Sequence, residues 1–160
     1  MDANNHITNT GFSYDGAGNL TQEGSGGYAY IYDAENRLIQ AGGMSGGPYS
    51  YGYDGSSMRV KKSSASLGTL YWRGISGDVL TETDLSGNVN SEYVYFSGRQ
   101  VARVNGTGNV YYYNADSTGT TRTISTATGS VCYDAEFTPY GTELIHSNSC
   151  PQNYKFTGYE

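Results

Sequence analysis

Short runs in which Tyr, Val, Thr and Ile alternate with polar residues succeed one another along the chain, and Gly, Asn, Asp or Ser bounds almost every run. Alternation with a period of two puts one set of side chains on each face of a strand, and the bounding residues are those that supply turns. No apolar set at i, i+3, i+4, i+7 extends beyond about two helical turns, and Gly interrupts nearly every window. The pattern therefore predicts an all-β, antiparallel structure with almost no helix.

One unit recurs. It reads Tyr14-Asp15-Gly16-Ala17-Gly18-Asn19-Leu20, then Tyr32-Asp33-Ala34-Glu35-Asn36-Arg37-Leu38, then Tyr53-Asp54-Gly55-Ser56-Ser57-Met58-Arg59-Val60. Degenerate copies come after it at Tyr95-Phe96-Ser97-Gly98, Tyr113-Asn114-Ala115-Asp116 and Tyr133-Asp134-Ala135-Glu136, with a worn copy near Tyr71-Trp72-Arg73-Gly74. Successive tyrosines lie 18, 21, 42, 18 and 20 positions apart, so the period is about twenty once the worn copy fills the long gap. Each copy predicts strand, turn, strand: the Asp carboxylate accepts from backbone N–H groups two residues on, and Gly or Asn takes the positive φ. A second set of turns is predicted at Ser86-Gly87-Asn88, at Asn105–Asn109 and at Thr128-Gly129-Ser130. The repeats fall near 14–20, 32–38, 53–60, 71–80, 95–104, 113–124 and 133–143, within one expected domain over 1–160. Tyr14, Tyr32, Tyr53 and Tyr95 are expected on one face, stacking on neighbouring strands.

Composition refines this. The chain has 17 Tyr against 4 Phe and 1 Trp, with a mean hydropathy of -0.56. A tyrosine ring buries like phenylalanine but carries a hydroxyl that needs a partner or water, which suits broad, half-wet sheet faces. A net charge of -6, with basic residues dispersed except at Lys61-Lys62, offers no footprint for a phosphate backbone, so nucleic acid is not expected as a partner. No apolar run has the length to cross a bilayer, and residues 1–6 lack the features of a signal peptide; membrane insertion is not expected.

Candidate chemistry is sparse. His6 and His146 have no partner at metal-ligand spacing, and no Cys-x-x-Cys, His-Glu-x-x-His or Gly-x-Ser-x-Gly occurs. The stretches from Asp15 to Asn19 and from Asp84 to Asn88 resemble pieces of calcium loops but lack the later bidentate Glu, so turn chemistry explains them. Glu82 and Glu92 are a conceivable carboxylate pair that nothing selects over solvated side chains. No enzyme activity, metal or cofactor is expected. Arg37, Arg59, Arg99 and Arg103 are expected to pair with turn aspartates or stack on Tyr rings. Tyr28, Tyr30, Tyr49, Tyr51, Tyr111 and Tyr112 are candidates for an exposed aromatic row that contacts glycan. Cys132 and Cys150 lie 18 positions apart, a spacing that fits either a bridge worth about 3 kcal/mol or two separate thiols.

These repeats resemble the RHS/YD-repeat family of bacterial RHS elements, insecticidal Tc-toxin shells and animal teneurins. The C-terminal third is the most specific: Tyr112 to Arg122 is similar to the family's "YYHxDxLGSxR" segment, Tyr133 to Gly141 to "YDPFG", and Tyr154-Lys155-Phe156-Thr157-Gly158 to "YrFTG", within an expected terminal segment 154–160. Asn114 stands where the family usually has His, and Ser117-Thr118 replaces the commoner residues before Gly119. The resemblance implies a β-sheet that spirals into a hollow shell around a toxin or effector domain; about eight units of two strands are too few to close a large shell, so an open or partly curled spiral is expected. Partners would be the rest of the shell, or a second copy, through the sheet edges, together with toxin cargo. It also implies a secreted or surface location, which favours a Cys132–Cys150 bridge. The "DPxG" motif at which some members cut themselves does not occur, so that activity carries over to no residue.

Overall fold

The computed structural model describes residues 1–43, 47–150 and 152–158. The strands are β1 (Ser13–Tyr14), β2 (Leu20–Glu23), β3 (Tyr28–Tyr32), β4 (Leu38–Gly42), β5 (Tyr49–Tyr53), β6 (Arg59–Ser63) and β7 (Gly68–Arg73). They continue as β8 (Val79–Thr83), β9 (Val89–Phe96), β10 (Arg99–Asn105), β11 (Val110–Ala115), β12 (Thr121–Thr126), β13 (Val131–Phe137) and β14 (Glu143–Asn148). The one helical element among the described residues is a 3-10 turn at Phe156–Gly158. Strand order in the sheet equals sequence order, with β1 and β14 at its two ends. The fold is thus an all-β antiparallel meander of hairpins, as the alternation predicts.

The chain divides into two compact units: unit 1 is Met1–Gly77 with Thr83–Gly87, and unit 2 is Asp78–Glu82 with Asn88–Glu160. In unit 1, Tyr30 faces Ala41 across β3 and β4, and Ala41 faces Tyr49 across β4 and β5, so Tyr28, Tyr30, Tyr49 and Tyr51 share one face. Ala41 is buried beneath these rings. In unit 2 the register runs Tyr93 to Arg103 to Tyr111 to Thr126 on one face, and Val94 to Ala102 to Tyr112 to Ser125 on the other. The first of these faces holds the core, where Tyr113, Ile124, Cys132, Tyr133, Ala135 and Cys150 cluster. Tyrosine fills positions that Leu or Phe take in a drier core, and the Tyr133 hydroxyl finds a polar partner in Glu143.

Candidate functional site

The turns are built by one repeated device. At Asp33 the carboxylate Oδ1 accepts from the Glu35 and Arg37 amides at 2.9 and 3.0 Å. The Asn36 amide donates to the Asp33 carbonyl, and the Asp33 amide donates to the Arg37 carbonyl, both at 3.0 Å. The same set recurs at Asp15, Asp54, Asn105 and Asp116, with Oδ1 accepting from the amides two and four residues on. Each loop places positive φ three residues after the acceptor: Gly18, Asn36, Ser57, Gly108 and Gly119. That residue forms the bulge that lets a type I turn match the twist of its strands. Backbone and side-chain hydrogen bonds hold the Asp15, Asp33 and Asp116 carboxyls below the ordinary value; the leading causes are the Asn19 side chain, the Arg37 amide and the Thr118 hydroxyl respectively.

Three predicted copies are displaced from this pattern. Tyr133-Asp134 is not a turn: Asp134 lies inside β13 opposite Thr123, and the turn comes at Thr138–Thr142, where Thr138 accepts and Gly141 takes positive φ. Asn114 likewise lies in β11, and Asp116 is the turn acceptor. Tyr95 precedes a two-residue turn in which Ser97 and Gly98 both have positive φ, the requirement of a type I′ hairpin. Turns at Asp84, Asn105 and Thr126 fall where the second set was predicted.

Adjacent turns and rings in unit 1 brace one another. Asn19 Nδ2 donates to Asn36 Oδ1 at 2.9 Å, and Arg37 Nε donates to Asp33 Oδ2 at 2.8 Å while its guanidinium lies 5.2 Å from the Tyr53 ring centre. The Tyr53 hydroxyl donates to the Leu38 carbonyl at 2.7 Å, tying two repeats. Arg59 stacks on Tyr51 and Tyr71, and Lys62 on Tyr49. Tyr14 stacks on His6 at 4.0 Å. Burial, then a hydrogen bond to Glu23, pushes the Tyr30 phenol up to about 12. Of the proposed glycan row, Tyr28, Tyr30, Tyr49 and Tyr51 share a face, whereas Tyr111 and Tyr112 point to opposite faces of β11. Tyr28 and Tyr112 are exposed; Tyr111 is half-buried with Arg103 stacked on it at 4.9 Å.

Unit 2 carries the densest polar arrangement. The segment 152–158 folds back over the core face. The Tyr154 hydroxyl donates to Glu82 Oε1 at 2.9 Å and its ring meets Tyr93 edge-on at 5.1 Å. Lys155 Nζ donates to both oxygens of Glu143 at 2.9 and 2.8 Å, and the Tyr133 hydroxyl donates to Glu143 Oε1 at 2.7 Å. The Lys155 carbonyl accepts from the Thr121 amide at 2.9 Å, and the Thr157 amide donates to Thr120 Oγ1 at 3.0 Å. A side chain at Gly141 would press tightly on the Phe156 ring, so glycine there serves both the turn and the tail. Burial pushes the Glu143 carboxyl up, yet hydrogen bonds from Lys155 and Tyr133 outweigh it and leave it below the ordinary value. The Tyr93 and Tyr133 phenols are raised, chiefly by burial.

Glu82 is 3% exposed, against the expectation that the acids are solvated. Glu92 neighbours Tyr93 on β9 and faces the opposite side from it, so Glu82 and Glu92 do not share a site. Sequence reasoning named Glu82 but missed its burial and its partners, because Asn153 and Tyr154 are 71 and 72 positions away. Cys132 and Cys150 are joined, with Cα atoms 5.4 Å apart. Among the described residues no group of three His, Cys, Asp or Glu side chains is placed to hold a metal ion.

No protein-family model matches the chain. It is 30% identical over 162 residues to the tRNA nuclease WapA of Bacillus subtilis strain 168, and 29% identical over 162 residues to the tRNA3(Ser)-specific nuclease WapA of Bacillus spizizenii. Both alignments cover 96% of this chain, which spans about 7% of the length of these relatives. The Photorhabdus luminescens Tc holotoxin pore superposes with a TM-score of 0.67 over 91% of this chain and 8% of that one, at 16% identity. The TcdB2-TccC3-TEV crystal structure gives 0.63 over 82% and 8%, at 15% identity. These structural likenesses extend to the meander itself, and the repeated turns run its length. The chain has the fold of these Tc-toxin structures, and its repeats resemble the RHS/YD-repeat family.

The departures from the family pattern have visible surroundings. Asn114, in place of His, is exposed and donates from Nδ2 to Thr123 Oγ1 at 3.3 Å. Ser117 accepts from Arg99 through its carbonyl and Thr118 donates to Asp116 Oδ1, so both serve the turn. The "FTG" residues Phe156, Thr157 and Gly158 form the 3-10 turn of the tail; residues 159 and 160 of the expected terminal segment lie outside the described residues.

Proposed function

We propose that this chain is a non-catalytic wall segment of a shell or surface assembly that encloses or displays a toxin or effector domain. The observation that carries the reading is the repeated turn. One hydrogen-bond set, rebuilt at Asp15, Asp33, Asp54, Asn105 and Asp116, lays down consecutive antiparallel strands and leaves its acids committed to backbone amides. Carboxylates held that way accept hydrogen bonds from turns and are not positioned for proton transfer. The likeness to Tc-toxin structures supports the shell, and the nuclease names of the relatives support a toxin carried elsewhere in such proteins, since the matched stretch is about 7% of their length. The same likeness supports a secreted or surface location.

Sheet edges are the expected route to the remainder of the wall or to a second copy, because an edge strand offers unpaired N–H and C=O groups. The direct test is incubation of the purified chain with tRNA: no cleavage is expected, and cleavage by this polypeptide alone would sink the reading. A second reading, glycan contact, draws on the four rings of unit 1 that share a face, with Tyr28 40% exposed. Saturable retention on a polysaccharide, lost in Tyr28→Ala, would favour it over the wall alone.

A further inference from the structure

We propose that residues 152–158 form a reductant-sensitive latch, held across unit 2 by the Cys132–Cys150 bridge and loosened when that bridge is reduced. The placement is specific. Cys150 precedes the tail by two positions, and Cys132 adjoins Tyr133, the ring over which Lys155 lies at 5.7 Å. The bridge therefore fixes the root of the tail against β13, beside the groups that the tail binds.

Beyond this root the tail has little ladder of its own. Outside its own 3-10 turn, the backbone-to-backbone bond that ties it to the sheet among the described residues runs from the Thr121 amide to the Lys155 carbonyl. The other attachments run through side chains: Tyr154 and Asn153 to Glu82, Thr121 Oγ1 to the Tyr154 carbonyl, Tyr154 edge-on to Tyr93, Lys155 to Glu143 and over Tyr133, Thr157 to Thr120, and Phe156 against Phe137 and Gly141. A segment held by separate side-chain contacts and not by a strand ladder opens apart from the sheet, and its closed population depends on how tightly its root is confined. With the root stapled, each contact re-forms at high effective concentration. Without the staple, Ser149 still bonds the Cys132 carbonyl through its amide and hydroxyl, so the strand end stays placed while the tail beyond it gains freedom.

The chemistry balances with a dithiol as reductant. Its two thiols give two electrons and two protons, the Sγ–Sγ bond breaks to two cysteine thiols, and the dithiol leaves as its cyclic disulfide. An oxidising exterior keeps the latch fastened, and a reducing thiol pool loosens it, exposing Glu82, Glu143 and the Tyr93 and Tyr133 rings. Both cysteines are buried, 5% and 3% exposed, so reduction proceeds through local opening around the bridge.

Hydrogen exchange on the full chain, with and without dithiothreitol and with thiols counted by alkylation mass, tests this. The Thr121 and Thr157 amides report the latch directly, because their acceptors belong to the two sides of the tail contact. Reduction is expected to lower protection at these two amides about tenfold or more, while the turns at Asp15, Asp33 and Asp54 keep theirs. Should the buried bridge resist the dithiol, Cys150→Ser is expected to give the same selective loss. Free thiols with unchanged protection at Thr121 and Thr157 would overturn the latch, and so would a loss spread over both units.

Discussion

The Tyr154 hydroxyl donates to Glu82 Oε1 at 2.9 Å although 72 positions of sequence separate them. Glu82 is buried, so removing this donor takes away one of its hydrogen bonds where bulk water does not replace it. Tyr154→Phe is expected to cost about 1–3 kcal/mol. Tyr112→Phe, at an exposed ring on the opposite face from the core, is expected to stay within about 0.5 kcal/mol. Urea unfolding midpoints of the two variants make the comparison.

The turn acceptors differ from other aspartates in what they hold. Asp33→Ala removes the acceptor of two turn amides and of Arg37, so its unfolding midpoint is expected to fall further than that of Asp134→Ala, which lies in mid-strand. Equal midpoints would show that the carboxylate is not what closes the turn.

Which Tyr-Asp pairs are turns is decided by the residue three positions beyond the acceptor. After Asp33 and Asp54 it is Asn36 and Ser57, which tolerate positive φ; after Asp134 it is Phe137, which does not, whereas after Thr138 it is Gly141. The local chemistry of Asp15, Asp33 and Asp54 was therefore legible in the sequence, and the dipeptide alone misplaced the turns near Tyr113 and Tyr133. The all-β class was legible because alternation is local. The burial of Glu82 was not, because it depends on a tail that returns from the far end of the chain, and no periodicity encodes that return.

Ser57 carries the positive φ at the third turn, with φ of 61. A left-handed conformation penalises a side chain, so Ser57→Gly is expected to stabilise by about 0.5–1 kcal/mol. The opposing loss is a 3.4 Å contact from Arg37 Nη1. Gly119→Ala, at φ of 83, is expected to destabilise by about 1–2 kcal/mol. Thermal midpoints of the two variants should move in opposite directions.

Acid and base should weaken the sheet by different groups. Asp15, Asp33 and Asp116 have lowered folded values, so the folded chain binds fewer protons than the unfolded one; their contribution is present above the ordinary carboxylate range and lost as pH falls through their depressed values. Tyr30 is raised to about 12, so its contribution is full below the ordinary phenol value near 10 and lost as pH rises towards about 12. Circular dichroism across pH checks both limbs, and a chain equally stable from pH 2 to pH 7 would contradict the acid limb.

The account rests on hairpins paired in the order in which they occur. Cross-strand nuclear Overhauser contacts in the isolated chain measure that pairing directly: Tyr111 is expected to show contacts to both Arg103 and Thr126, and Ala41 to both Tyr30 and Tyr49. Contacts joining strands out of sequence order, or sequential amide contacts typical of helices through these residues, would contradict it.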